Sequence, residues 1–391
     1  MLPSRSDILK VLVVAIVTIS LSRGLTYIPL SVSFFASTSV ADINQFDIYS
    51  DLQHSQGIMP YDNSITVVTL PHGSTRYELP QTLMMLSECK PAAIAVDIDL
   101  VGEKDPEIDD MLREAIMANT NVVFPCKIDC LDDTSRFFTD AGALGITRGY
   151  TNLDTRDRDN AVIRSFTSFY VDTLTHDTIF SLPLQAVRLV YPEAIEKLKS
   201  HKSSREYINF IVEYLTISYE EIPDWSDALT GSIVLLGLDT QADVHRTSID
   251  EQTLGLKIHA YTASTVIREA YIKEVAKWAS EVFGFIMIAL FISLNIFYGR
   301  RFPRAGGFLV RTTTYTLFFS LLISSFVLFM ERAVYSDCGW FLLAIAFCPW
   351  AIDIYTLLQI LADKIKQLAK RVPGALSAAQ KWINQKKKQK S

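Results

Sequence analysis

The chain is poor in the residues and motifs on which most catalysis rests. It has six histidines and five cysteines among 391 residues, and no His or Cys lies near His245 or His259 at a zinc-ligand spacing. No Gly-x-Ser-x-Gly, His-Glu-x-x-His or glycine-rich phosphate loop occurs, so no cofactor motif is present. The cysteines do not form a disulfide framework. Cys126 and Cys130 can bridge only if the chain turns between them, Cys338 and Cys348 fall at or inside an apolar run, and Cys89 has a core setting. Positive charge is also scarce outside the C-terminus. The net charge is −6 although residues 364–391 carry Lys364, Lys366, Lys370, Arg371, Lys381, Lys386, Lys387, Lys388 and Lys390. The remainder is more acidic than the total, which argues against a nucleic-acid partner.

Apolar sequence, by contrast, is abundant. Long runs occupy residues 278–298, 313–330 and 339–362, and a fourth covers 11–34 at the start. At a rise of about 1.5 Å per residue each approaches or meets the roughly 30 Å of a bilayer's hydrocarbon core. The first run is the weakest, because Arg23 interrupts it and its cleanest apolar stretch is Val11–Leu21. Ser39-Val40-Ala41 has small residues suited to cleavage but stands too far downstream, so the run reads as an uncleaved signal-anchor.

Flanking charges predict the orientation. Arg5 and Lys10 precede the first run, and Arg300, Arg301, Arg304 and Arg311 fill the loop between the second and third. With the Lys-rich tail they fall on one side of a four-span arrangement, and short basic segments stay cytoplasmic. The expected protein is therefore multi-pass in the cytoplasmic membrane, with residues 35–277 extracytoplasmic and 363–391 a basic cytoplasmic tail. That tail reads first as a topology signal. Trp382 and Ile383 beside Lys386–Lys388 also make anionic lipid a candidate partner.

The 35–277 region alternates strand-like and helix-like segments. Ile65–Leu70, Ala92–Leu100, Asn121–Pro125 and Gly231–Leu238 are apolar, β-branched runs of buried strands. Leu79–Cys89, Glu107–Asn119, Phe180–Val190 and Leu256–Arg268 have helical spacing, and Ile208–Val212 reads as a further strand. The alternation predicts an α/β domain with a mostly parallel sheet, joined to one N-terminal and three C-terminal transmembrane helices.

Four segments then carry a resemblance. AIAVDIDLVGEKDPEIDDMLREAI, NVVFP, DRDNAVIR at 157–164, and GSIVLLGLDTQADVHRTSI followed by LGLKIHAYTASTVI together resemble the type-two CHASE family. Members of that family are extracellular sensory domains associated with cyclases and histidine kinases. The resemblance extends over residues 1–362 and implies one span, an outer domain and three further spans. It also implies a receptor, a dimer, and no enzymatic activity in the sensory part. The chain departs from the family pattern in Thr69-Leu70-Pro71, where acids are usual, and in lacking a Trp-Pro-rich segment before Leu79. Asn160 stands at a turn glycine, a position an Asn backbone tolerates. Family members usually continue into an output domain. Here only 363–391 follow the last run, so the resemblance implies a separate cytoplasmic or membrane output protein.

Ligands of an open parallel sheet bind beyond the carboxyl ends of its strands. That rule selects Pro71–Gly73 including His72, then Asp97 and Asp99, then Asp239, Asp243 and His245. Asp97 and Asp99 alternate with Ile98, which puts both carboxylates on one face, and with Asp239 they could hold a divalent cation. The plainer reading of Asp97 is a carboxylate that fixes the sheet's edge, and that of His259 is a packing or hydrogen-bonding group. Asp157–Asp159 lack the glycine and closing Glu of a calcium loop and read as a solvated turn. Asp353, with Pro349, marks a candidate relay point in the last run, with Lys10 or Asn295 as possible neighbours. The favoured reading is a membrane-embedded sensory subunit that binds a small signal or a partner outside. The alternatives are a scaffold of an envelope complex and, behind it, a metal-dependent hydrolase.

Overall fold

The computed structural model describes residues 5–26, 45–57, 59–71, 73–74, 77–100, 105–119, 121–126, 147–154, 162–171, 178–201, 203, 205–302, 304–337 and 339–388. Ser39-Val40-Ala41, His72, Cys130, Asp157–Asn160 and Cys338 lie outside the described residues. The chain divides into two units. One comprises residues 1–41, 275–326 and 336–391; the other comprises 42–274 and 327–335.

The larger unit is built on six strands: β1 (Tyr61–Pro71), β2 (Ala93–Asp97), β3 (Val122–Cys126), β4 (Thr147–Tyr150), β5 (Glu213–Ser218) and β6 (Ile233–Asp239). Their order is β4-β3-β2-β6-β1-β5 and every pairing is parallel. Strand β6, the last in sequence, sits between β1 and β2, so the sheet changes direction there. The α2 helix (Gln45–Ser55) precedes β1, and α3 (Glu78–Cys89), α4 (Pro106–Ala118), α5 (Leu182–Val190), α6 (Pro192–Lys199) and α7 (Gly255–Ile267) flank the sheet.

Strand periodicity explains the layering. Ile65, Val67, Ala93, Ala95, Ile233 and Leu235 pack on one face against α5, α6 and α7. Val68, Leu70, Ile94, Val96, Val234 and Leu236 pack on the other against α3 and α4. Both faces are covered, which is why the strands read as continuous apolar runs rather than alternating ones. The Asp105 carboxylate caps α4 by accepting from the backbone N–H groups of Glu107 and Ile108, and Pro106 opens the helix.

Two predicted elements are displaced. Residues 208–212 form no strand, although Ile208, Phe210 and Val212 alternate as buried side chains. Their backbone is satisfied elsewhere: the Asn209 N–H donates to the Thr265 hydroxyl, and the Ile211 N–H donates to the Asn209 side chain. The strand begins at Glu213 instead and pairs with β1. The helix expected from Phe180 starts at Leu182, because Phe180 ends a short strand (Thr178–Phe180) paired with Phe169–Val171.

The other unit holds α1 (Arg5–Thr26), α8 (Lys277–Arg301), most of α9 (Gly306–Arg332) and α10 (Gly339–Lys388). Three stretches, Lys277–Arg301, Gly306–Arg332 and Gly339–Lys366, are long and apolar enough to cross a membrane. The predicted fourth is shorter than expected: within α1 the apolar part is Lys10–Ser22. Val14 and Ala15 of α1 pack with Ile288, Phe291 and Ile292 of α8 and with Phe341, Ile345 and Cys348 of α10. Gly284 permits that approach, since a Cβ there would lie 2.8 Å from the Phe341 Cβ.

Asp353 and Pro349, the suggested relay point, and Lys10 and Asn295 all lie in this unit. Asp353 lies on an exposed face of α10, which runs through Pro349 without a break. Lys10 places its ammonium over the Tyr355 ring, 5.5 Å from the centroid. The Asn295 amide is turned to its own helix and donates to the Phe291 carbonyl. Each of these two polar groups thus has a contact other than Asp353.

Candidate functional site

Asp97 ends β2, in register with Gly237 of β6. It has the parity of Ala93 and Ala95, which face the α5–α7 layer, so its carboxylate turns toward α7. There His259, buried one turn into α7, brings Nε2 to 3.6 Å from Asp97 Oδ2. Gly237 keeps the space between β6 and α7 narrow but passable: a Cβ there would meet both Leu256 methyls at 3.0 Å.

The loop after β6 supplies the opposite wall. A two-residue ribbon pairs Val244 with Leu254 and His245 with Thr253, which folds the loop back onto the start of α7. His245 Nε2 lies 3.0 Å from Asp243 Oδ1. The Asp243 carboxylate occupies the space a side chain at Gly255 would need, 2.5 Å from that missing Cβ. It therefore sits against the N-terminal end of α7, where the helix dipole favours negative charge. Only glycine leaves room for it.

These groups border a cavity of about 590 Å³ at the carboxyl ends of β2, β3, β4 and β6. Asp97, Asp99, Asp243, His245 and His259 supply its ionisable lining, and Ile98, Leu153, Leu238 and Leu256 its apolar wall. Burial pushes the Asp97 carboxyl above the ordinary carboxylate range. Neighbouring His259 and His245 oppose that shift, whereas Asp243 and Asp99 add to it.

Of the residues selected from sequence, Asp97, Asp99, Asp243 and His245 come together around this cavity. Asp239 does not. It is exposed at the end of β6, and Thr240 takes the position facing inward. The divalent-cation set of Asp97, Asp99 and Asp239 is thus not assembled, and among the described residues no three His, Cys, Asp or Glu side chains converge to hold a metal ion. His259, read from sequence as a packing or hydrogen-bonding group, is buried and also lines the cavity. The spacing of α7 gave no sign of it, since its partner Asp97 is distant in the chain.

A second cluster escaped the sequence reading altogether. Arg164, at the end of the DRDNAVIR segment, is buried. Its guanidinium donates twice to Asp47 of α2, Nε to Oδ1 at 2.7 Å and Nη2 to Oδ2 at 2.6 Å. The Ser248 hydroxyl donates to the same Oδ1 at 2.8 Å. The cavity loop is tied to this cluster directly: the Ile163 N–H donates to the Arg246 carbonyl, and Ile163 bridges Thr247. Phe46, beside Asp47 on α2, is buried among Tyr207, Phe329 and Tyr335 at centroid distances of 4.7, 5.7 and 5.4 Å. Phe329 belongs to the last turn of α9. Tyr335 lies in a strand, Val334–Tyr335, that pairs in parallel with Lys273–Glu274 just before α8.

Comparison with characterised proteins returns no match, nor does comparison with solved structures. A family model does match, over residues 32–295, and it is that of the CHASE2 domain. That span takes in the whole parallel sheet, the cavity and the Asp47–Arg164 cluster, and by it this chain belongs to the CHASE2 family of sensory domains.

Proposed function

We propose that this protein is a membrane-embedded sensory subunit. Its domain of residues 42–274 lies outside the cytoplasmic membrane and binds a small signal in the cavity at the strand ends. The bound state passes through the C-terminal helices to a separate output protein at the cytoplasmic face, met by the Arg300–Arg311 loop or the Lys-rich tail. The basic segments support this orientation.

One observation carries the reading. The loop that contributes Asp243 and His245 to the cavity also contributes Ser248 to Asp47, only a few residues on. Asp47 neighbours Phe46, whose ring packs on the end of α9 and on the strand between α9 and α10. A signal that binds one arrangement of the 243–248 loop more tightly than another shifts these junctions with it. The connection is short and made of buried groups, so a displacement is not absorbed by a slack linker.

The test is a crosslink-and-pulldown from native membranes through a tag on the C-terminal tail. A kinase, cyclase or regulator crosslinked to residues 300–311 or to the tail supports the reading. Recovery of envelope proteins alone, all bound to residues 42–274, replaces it with a scaffold.

A further inference from the structure

We propose that the cavity takes a small organic cation, an amine carried on an apolar body. This rests on the sensory reading and names the chemistry of its signal. Three carboxylates line the cavity, from Asp97, Asp99 and Asp243, and among the described residues no Lys or Arg is in its walls. The groups facing Asp97 are His259 from α7, Asp243 and His245 from the loop after β6, and Asp99 from its own strand end.

A helix N-terminus that could seat an anion is already filled. The N-terminal end of α7 opens at Gly255, and the Asp243 carboxylate lies against it. A ligand carboxylate or phosphate would meet the Asp97 and Asp243 carboxylates and, among the described residues, no Lys or Arg. A bare metal ion fits no better, because the described ligands do not converge. An ammonium, in contrast, stabilises the charged form of Asp97 and offsets its repulsion from Asp243. The apolar wall of Ile98, Leu153, Leu238 and Leu256 gives the ligand's body a dry surface, and the volume is within the usual range for small-molecule sites.

The full-length protein in lipid nanodiscs is titrated calorimetrically with isoamylamine, 2-phenylethylamine and tyramine. Isoamyl alcohol, 2-phenylethanol and phenylacetate serve as neutral and anionic counterparts. The inference expects at least one amine to bind at least tenfold tighter than its counterparts, and Asp97→Asn to weaken that amine at least tenfold. Affinity should also fall with falling pH as Asp97 takes up a proton. Asp243→Asn, which leaves Asp97 in place, should weaken it too. Thermal melts of both variants confirm that they are folded. Tighter binding of an alcohol or of phenylacetate, with the same dependence on Asp97, overturns the cation but leaves the cavity a signal site. Failure of all six at millimolar concentration, or amine binding indifferent to both substitutions, overturns the inference. The pulldown above is unaffected by either result and tests the sensory reading separately.

Discussion

The Arg164 guanidinium grips the Asp47 carboxylate with two parallel bonds, 2.7 and 2.6 Å long, although 117 residues separate them in the chain. Both side chains are nearly buried, at 10 and 13 % exposure. A fork-to-fork pair of this kind fixes geometry as well as charge. Here it fixes α2, the first helix of the larger unit, to the segment that also holds the cavity loop.

Loss of either partner removes this ion pair from the other, nearly buried charge. Arg164→Met and Asp47→Asn should each destabilise the larger unit by about 3–5 kcal/mol, the usual cost of breaking a buried pair. The double variant should lose clearly less than the sum, which denaturant unfolding in a double-mutant cycle measures. Additive losses would mean that the two residues act independently.

Asp97 predicts a pH dependence of definite sign. Its carboxyl is raised in the folded protein, so the folded state disfavours the charge. Stability is lost as pH rises from the unfolded value, about 3.9 for a free Asp, through the folded value, and stays lost above it. Asp97→Asn removes that cost. The variant should melt higher than the parent at neutral pH, and the gain should shrink as pH falls through this window. A difference between the two melting curves that is constant with pH would contradict the assignment.

Two glycines should differ in what they tolerate. A Cβ at Gly149 would lie 2.6 Å from the Leu182 Cα, a backbone atom at the start of α5. At Gly237 the nearest atoms are the Leu256 methyls, which can turn aside. Overpacking costs about 1–3 kcal/mol. Gly149→Ala should fall at the upper end and Gly237→Ala at the lower, as read by thermal unfolding. The reverse order would show that α5 yields more readily than Leu256.

Orientation is open to direct labelling. Trp225 is exposed on the larger unit, and Lys390 lies in the basic tail. A membrane-impermeant maleimide should modify Trp225→Cys in spheroplasts and Lys390→Cys only after the membrane is opened. The opposite pattern would reverse the topology.

Much of the fold was legible because its signals are local. Strands β1, β2, β3 and β6 are covered on both faces and therefore read as unbroken apolar runs. The helices between them carry periodicity, and α4 also carries its cap. Short parallel crossovers left few topologies to consider. The strand expected at 208–212 failed for the complementary reason: its alternation is real, but Asn209 and Thr265 satisfy its backbone, and that competition depends on a helix far along the chain.

The same division runs through the site. The rule for parallel sheets was enough to select Asp97, Asp99, Asp243 and His245 from the sequence, because it needs only strand ends. It also selected Asp239, since it cannot say which residue of a loop turns inward. The partnership of Asp97 with His259, the seat of Asp243 over Gly255, and the Asp47–Arg164 pair were decided by tertiary structure alone. Each joins groups from separate elements, and no period or local motif records a contact that exists only once the layers have packed.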